Sequence, residues 1–238
     1  MTSETEDRGA WGVLVDTADI PGGGQLHLVR HGPDYEILFG DEQLMSSWDY
    51  RSEEALATLV FPHLADSAGR VLIGGLGMGF TLAAARSVLS PAATIVVAEL
   101  VPKVADWAGG HLAHIHGASL RDPRVSLEIR DVHDVIVDQP AGFDAILLDV
   151  DNGPDGLISL ANERLYCNWG LRAAHAALRP GGLLAVWSAY QDDDFLSRLN
   201  QAGFVVEVVN IDAARAGDPP HTIWLAERRP ESDRPAEA

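Results

Sequence analysis

Short apolar runs alternate with segments that repeat apolar positions at helical spacing from about residue 70 onward. The apolar runs are VLIGG at 71–75, TIVVAE at 94–99, VSLEI at 125–129, FDAILLDV at 143–150 and LLAVWS at 183–188. The helical segments are 79–89, a segment from 102, 162–178 and 193–202. Near-continuous apolar strands between amphipathic helices are typical of a parallel sheet covered on both faces. The pattern therefore predicts a doubly wound, Rossmann-like α/β fold.

The two ends of the chain have a different pattern. Residues 11–50 contain short runs of mixed apolar and polar residues cut by PGGG, HGPD and GDEQ, which predicts an appendage of small β-hairpins. A first helix is predicted over 52–64, and FVVEVVNI with HTIWLAER is predicted to close the sheet as an antiparallel pair. We therefore expect an α/β domain over 51–228, with disordered tails at 1–10 and 230–238.

Composition narrows the class of protein. The 238 residues correspond to one full domain and a small appendage at ~150 residues per domain. A formal charge of −18 disfavours nucleic acid and anionic membranes as partners, and no apolar run approaches the ~18 residues of a membrane span. The opening MTSETEDRGA is acidic where a signal peptide is basic, and the single Cys167 excludes an intramolecular disulfide. We therefore expect a cytoplasmic protein.

Glycines cluster between the first strand of the α/β domain and the helix after it, at Gly75, Gly77 and Gly79. Glycine lets the backbone approach a ligand closely, and a helix N-terminus offers free N–H groups to it. Glu99 ends the next strand, where a carboxylate can accept hydrogen bonds from both hydroxyls of a ribose. Together these residues indicate a nucleoside site, with tight packing of helix on strand as the alternative role of the glycines. Their spacing departs from G-x-G-x-x-G, which disfavours NAD.

Acidic residues follow the next two strands. Asp131 can accept a hydrogen bond from the exocyclic amine of adenine or cap a helix, and both roles stay open. Asp149 and Asp151 lie at the carboxyl end of the fourth strand, over the same crevice as Glu99. The carboxylate of Asp149 leaves an apolar strand and can orient an amine, whereas the turn signal DNGP does not account for it.

A metal site is not expected. His111, His114 and His116 lie close together in sequence, but their spacing does not place all three on one helical face. Solvated or capping histidines are therefore favoured over a metal centre.

In order and spacing, the segment GLGMG at 75–79, Glu99, Asp131 and Asp149 resemble the class I S-adenosylmethionine-dependent methyltransferase fold. More narrowly, the chain resembles the spermidine synthase family over about residues 25–225. The resemblance implies that Glu99 holds the ribose, Asp131 contacts adenine and Asp149 helps activate the attacking amine. Glu54 matches the last residue of the family's Tyr-Gln-Glu, and we assign it with Asp151 to the substrate. Pairing as a homodimer is also implied by the resemblance.

Four positions depart from the family pattern. Ser52 and Glu53 replace Tyr and Gln, Met78 stands where the glycine loop carries an aspartate, and Asn152 corresponds to the second aspartate after the fourth strand. We therefore expect S-adenosylmethionine or a close relative as co-substrate. The expected reaction is methyl transfer to a small amine-bearing acceptor, and the acidic charge of the chain favours an acceptor that is cationic. The alternatives are aminopropyl transfer from decarboxylated S-adenosylmethionine and a catalytically silent nucleoside-binding protein.

Overall fold

The structure, a computed structural model, describes residues 12–64, 68–116, 119–150, 152–154, 162–214 and 217–230. Within these residues the chain forms two sheets, one of four strands and one of seven. The predicted tails fall almost entirely outside the described residues, as does Asp151.

The larger sheet confirms the doubly wound α/β prediction. Its strands are β5 (Arg70–Gly74), β6 (Thr94–Glu99), β7 (Val125–Ile129), β8 (Phe143–Leu148), β9 (Leu178–Ser188), β10 (Phe204–Ile211) and β11 (His221–Arg228). They lie in the order β10-β11-β9-β8-β5-β6-β7, and β11 alone runs against the other six, so that it pairs antiparallel with both β10 and β9. Alternate residues of β5 enter different core layers, since Val71 and Ile73 pack in one and Leu72 in the other. A strand buried on both faces has to be apolar throughout, which explains the runs in the sequence.

Helices cover both faces of this sheet. They are α1 (Arg51–Val60), α2 (Phe80–Val88), α3 (Pro102–Gly109), α4 (Val132–Val137), α5 (Glu163–Tyr166), α6 (Asn168–Ala177) and α7 (Asp193–Gln201). The single helix predicted over 162–178 is wrong, because the backbone is extended at Cys167 with ψ 164°. Gly170 packs against this break so closely that a Cβ there would lie 1.9 Å from the carbonyl oxygen of Arg164. None of the described helices is long and apolar enough to cross a membrane.

The smaller sheet is an antiparallel meander that precedes the helices. Its strands are β1 (Val13–Asp19), β2 (Gln25–His31), β3 (Asp34–Phe39) and β4 (Glu42–Ser46). The sequence predicted the hairpins but treated the start of β4 as a turn. Leu28 and Ile37 are buried in the same core layer as β5, and Asp16 accepts a hydrogen bond from Trp107 Nε1 at 3.0 Å. These contacts fix the small sheet to the domain beside the carboxyl ends of the parallel strands.

Candidate functional site

The glycine loop lies against the end of β8. Gly75, Gly77 and Gly79 all have positive φ, at 87°, 49° and 85°. A Cβ at Gly75 would lie 2.1 Å from the carbonyl oxygen of Asp149, so glycine is required for this close approach. The glycines therefore do both things expected of them: they allow close packing against β8, and they form the loop between β5 and α2.

Glu99 joins the glycine loop to the start of α3. It is buried at 7% exposure, and its carboxylate accepts hydrogen bonds from Leu76 N at 2.9 Å and Val101 N at 2.8 Å. Burial raises the pKa of Glu99, while the backbone N–H groups of Val101 and Leu76 lower it. The side chain is held in one orientation at the edge of a cavity.

This cavity, which we call the donor cavity, lies between the small sheet and the strand ends. Its apolar wall is Ile20, Leu26, Ile37, Leu44 and Met45 of the small sheet, with Val101, Val104 and Val132 opposite. Its polar end brings together five residues predicted from the sequence: Gly75, Gly77, Glu99, Asp131 and Asp149. Gly79 does not line it, because Gly79 is the N-cap of α2 and packs against His116. A wall of this kind suits the flat apolar faces of a base, and the polar end suits hydroxyl and amine groups.

Asp131 has both features that its position suggested. It caps α4 by accepting a hydrogen bond from His133 N at 2.9 Å, and it lines the donor cavity. Its second oxygen pairs with Arg164. The guanidinium fixes a carboxylate that retains lone pairs for a further donor.

Asp149 leaves β8 beside Glu53 of α1, and the two carboxyl groups form a buried pair. Thr81 Oγ donates a hydrogen bond to Asp149 Oδ2 at 2.6 Å, and Ser52 Oγ donates to Glu53 Oε2 at 2.6 Å. Burial raises the pKa of Asp149, and burial followed by the charge of Asp149 raises that of Glu53. In the described part of the chain, no cationic side chain is among the groups that shift either pKa. Among the described residues, no cation therefore acts as a counter-ion to the pair.

A second cavity opens on the other side of this pair, and we call it the acidic cavity. Its carboxylates are Glu42, Asp49, Glu53 and Asp218, and its other polar or aromatic side chains include Asn152, Trp187, Tyr190 and His221. Met45 and Leu44 line both cavities and so separate them. Asn152 is buried and donates a hydrogen bond to Glu42 Oε1 at 2.6 Å. Several carboxylates with aromatic faces favour a cationic ligand.

The structure assigns two sequence expectations differently. Glu54, expected at the substrate, lies on the exposed side of α1, whereas its neighbour Glu53 lines the acidic cavity. Met78 is buried in the core at 1% exposure, and Gly77 is the loop residue that faces the donor cavity beside Met45. The helical phase of α1 carries the signal for Glu53, because Leu56, Ala57 and Val60 three, four and seven residues later are all buried.

The histidines at 111, 114 and 116 form no metal-binding group with other residues in the described ranges. His116 instead packs over Gly79 and contacts the carbonyl oxygen of Ala108 through Nε2 at 2.9 Å.

The chain is similar to curated polyamine aminopropyltransferases. It is 31% identical over 205 residues to the enzyme of Mycobacterium tuberculosis (strain ATCC 25618 / H37Rv), a match that covers 82% of this chain and 38% of the relative. It is 33% identical over 127 residues to polyamine aminopropyltransferase 2 of Pseudomonas aeruginosa, covering 51% of this chain and 34% of the relative. The chain thus spans well under half the length of these relatives. No protein-family model matches it.

Solved spermidine synthases share its fold. The enzyme from Thermotoga maritima aligns with a TM-score of 0.73 at 15% identity, covering 90% of this chain and 72% of that one. A spermidine synthase in complex with the transition state analogue AdoDATO aligns with a TM-score of 0.71 at 16% identity, covering 93% and 72%. The likeness to these structures confirms the predicted Rossmann-like fold, and the similarity in sequence to polyamine aminopropyltransferases agrees with the resemblance to the spermidine synthase family.

Proposed function

We propose that this chain, a relative of the spermidine synthase family, transfers an aminopropyl group from decarboxylated S-adenosylmethionine to a small amine. The observation that carries the proposal is the buried pair of Asp149 and Glu53 between a nucleoside-shaped cavity and an acidic one. The expectation of methyl transfer finds no support in the comparisons, since the relatives are named for aminopropyl transfer.

The pair suits an amine because it supplies negative charge, and among the described residues no cationic side chain shifts the pKa of either carboxyl. A bound ammonium group would provide the missing counter-ion, and burial would strengthen that attraction. A methyl donor alone gives no reason to bury two carboxylates side by side at a cost in desolvation.

The departures that favoured methyl transfer have a different meaning in three dimensions. Met78 packs in the core and does not line the donor cavity. Asn152 does not remove charge from the acidic cavity, because its amide holds the carboxylate of Glu42. The missing aspartate at 152 is offset by a glutamate supplied from β4.

The reaction follows from this arrangement. The acceptor enters as an ammonium and gives one proton to the carboxylate pair, which leaves a neutral amine beside the donor cavity. The amine nitrogen forms a bond to the aminopropyl carbon as the bond from that carbon to the sulfonium sulfur breaks. The products are a neutral thioether and a secondary ammonium. Most of the rate enhancement comes from holding the two reactants in line.

The test is a product assay with the purified chain. Decarboxylated S-adenosylmethionine with putrescine should yield spermidine and methylthioadenosine, and Asp149→Asn should abolish the signal while Asp106→Asn, on the exposed side of α3, keeps it. Methylated product from S-adenosylmethionine would instead restore the methyltransferase hypothesis. Binding of both donors with no turnover of any amine would favour the silent nucleoside-binding protein. The homodimer implied by the resemblance stays a prediction.

A further inference from the structure

A chain of hydrogen bonds leads away from the buried carboxylate pair. Ser52 Oγ donates to Glu53 Oε2 at 2.6 Å, and His221 Nδ1 lies 2.8 Å from the same hydroxyl. Ser52 is 1% exposed, so water does not compete for its hydroxyl, whereas His221 is half-buried and lines the acidic cavity. The three residues connect a buried acid to a group in contact with the cavity.

We propose that Glu53, Ser52 and His221 form a proton path that empties the carboxylate pair after each aminopropyl transfer. The proposal rests on the proposed function, because that reaction leaves one proton on the pair in every cycle. The donor carries no group that takes this proton, and the secondary ammonium leaves with its own. The next ammonium can be deprotonated only after the pair has lost its proton.

The path works by reversing two hydrogen bonds. A hydroxyl has one proton, so while Ser52 donates to Glu53, His221 Nδ1–H has to donate to Ser52. When Glu53 is protonated, it donates to Ser52 Oγ, and Ser52 donates to the lone pair of a neutral imidazole. Transfer along these bonds ionises Glu53 and forms an imidazolium at His221, which then releases a proton to water in the acidic cavity.

The surroundings of His221 keep its imidazole ready to accept. Burial lowers the pKa of His221, the charges of Asp49 and Asp218 raise it, and Arg51 lowers it further. The ring of Trp187 packs on His221 with centroids 5.1 Å apart. The net effect leaves the imidazole neutral near pH 7, while the two flanking carboxylates can stabilise a transient imidazolium. Glu53 itself faces Asp149 and Asp49.

A titration by NMR tests the connection without any turnover. The imidazole signals of His221 should show two steps, one from its own protonation and one at higher pH as Glu53 ionises. Glu53→Gln should abolish the second step and Ser52→Ala should weaken it, while Glu207→Gln, an exposed position on β10, keeps both. A single step in the unaltered protein would overturn the proposal.

Rates provide the second test, with a readout that a purely structural hydrogen bond would not move. His221→Gln can still donate to Ser52 but cannot carry a proton onward, so turnover should fall about tenfold or more and recover with added imidazole buffer. Turnover should fall by a similar factor in Ser52→Ala and should not change in His63→Gln, which lies on the surface. Donor affinity by calorimetry should be unchanged in all of them.

The outcomes separate the path from the reaction. If the unaltered chain transfers no aminopropyl group, the proposed function fails, and the NMR titration still decides whether the three residues are coupled. If transfer occurs but Ser52→Ala matches the unaltered protein from pH 6 to 9, the path is overturned. A loss in His221→Gln that no buffer restores would also overturn it.

Discussion

The donor cavity and the acidic cavity lie on either side of the pair of Asp149 and Glu53, and the carboxylates of the two cavities have different hydrogen-bond partners. In the donor cavity, Glu99 accepts two backbone N–H groups and Asp131 is held by a backbone N–H and by Arg164. Beside the acidic cavity, Glu53 accepts a hydrogen bond from Ser52 and Asp149 accepts one from Thr81, and burial raises the pKa of both carboxyls, with the charge of Asp149 raising that of Glu53 further. The carboxylates of the donor cavity are held by backbone and guanidinium donors, whereas no cationic side chain among the described residues shifts the pKa of Glu53 or Asp149.

The difference indicates a division of labour. A cavity whose polar groups are already paired selects a ligand by shape, and ligand binding changes the charge state of the cavity little. A cavity with unpaired buried charge selects by charge, and ligand binding relieves the cost of burial. Under the proposed function, specificity for the nucleoside and specificity for the amine would lie in separate walls on either side of Asp149.

The largest expected effect is on Asp149, where the two regions join. Asp149→Asn keeps the size of the side chain and can still accept from Thr81, but it removes the charge that orients the amine and takes its proton. Turnover should fall by ~10²–10⁴ while donor affinity barely changes. The check is a rate assay beside a donor titration. Loss of donor binding would instead show that Asp149 acts with the residues that bind the donor.

Glu99→Gln should show the reverse behaviour. The amide presents an N–H where Leu76 N or Val101 N now donates, and each unpaired buried donor costs ~1–3 kcal/mol. Donor affinity should fall at least tenfold, and thermal stability should fall with it. Calorimetry and a thermal melt measure both, with Glu128→Gln, half-buried on β7 and outside the donor cavity, as the control. Donor affinity equal to that of the unaltered protein would remove Glu99 from the site.

Glu42→Gln should change the acidic cavity alone. The amide oxygen can still accept from Asn152, so the loop after β8 stays in place while one charge disappears. We expect KM for a cationic acceptor to rise about tenfold, equivalent to ~1.4 kcal/mol, with kcat and donor affinity unchanged. Asp41→Asn removes the same net charge from an exposed position outside the cavity. Equal effects of the two variants would mean that Glu42 acts only through net charge.

Sequence patterns located the central sheet well because its residues are constrained locally. β6 and β7 match their predicted bounds, since each is a short run bounded by polar residues. β4 was missed because its first residues, Glu42 and Gln43, are exposed and polar within the segment GDEQ. The break at Cys167 was missed because its cause, the packing of Gly170 on Arg164, is not visible as a turn signal.

The candidate site divides in the same way. Glu99 and Asp149 were expected at one crevice because ligands bind at the carboxyl ends of parallel strands, and both line the donor cavity. The role of Glu53 was placed on Glu54 because a motif match does not resolve one residue along a helix. His221 was missed because its partner Ser52 lies 169 residues earlier, a separation that no local pattern reports.

The smallest effect is a pH dependence of stability to which Glu53 of the acidic cavity contributes. Burial, followed by the charge of Asp149, raises the pKa of Glu53 to about 8, far above its value in an unfolded chain. The folded state therefore binds more protons than the unfolded state between these values, so the free energy of unfolding falls as pH rises from about 4.5 to 8. Glu53→Gln should flatten this slope and shift the midpoint of urea unfolding little at pH 5 but upward at pH 8. Glu207→Gln should leave the slope unchanged, whereas Glu99→Gln should flatten it in part, because burial raises the pKa of Glu99 as well. An unchanged slope in Glu53→Gln would show that the pKa of this carboxyl does not differ between the folded and unfolded states, and the contrast between the two cavities would then be lost.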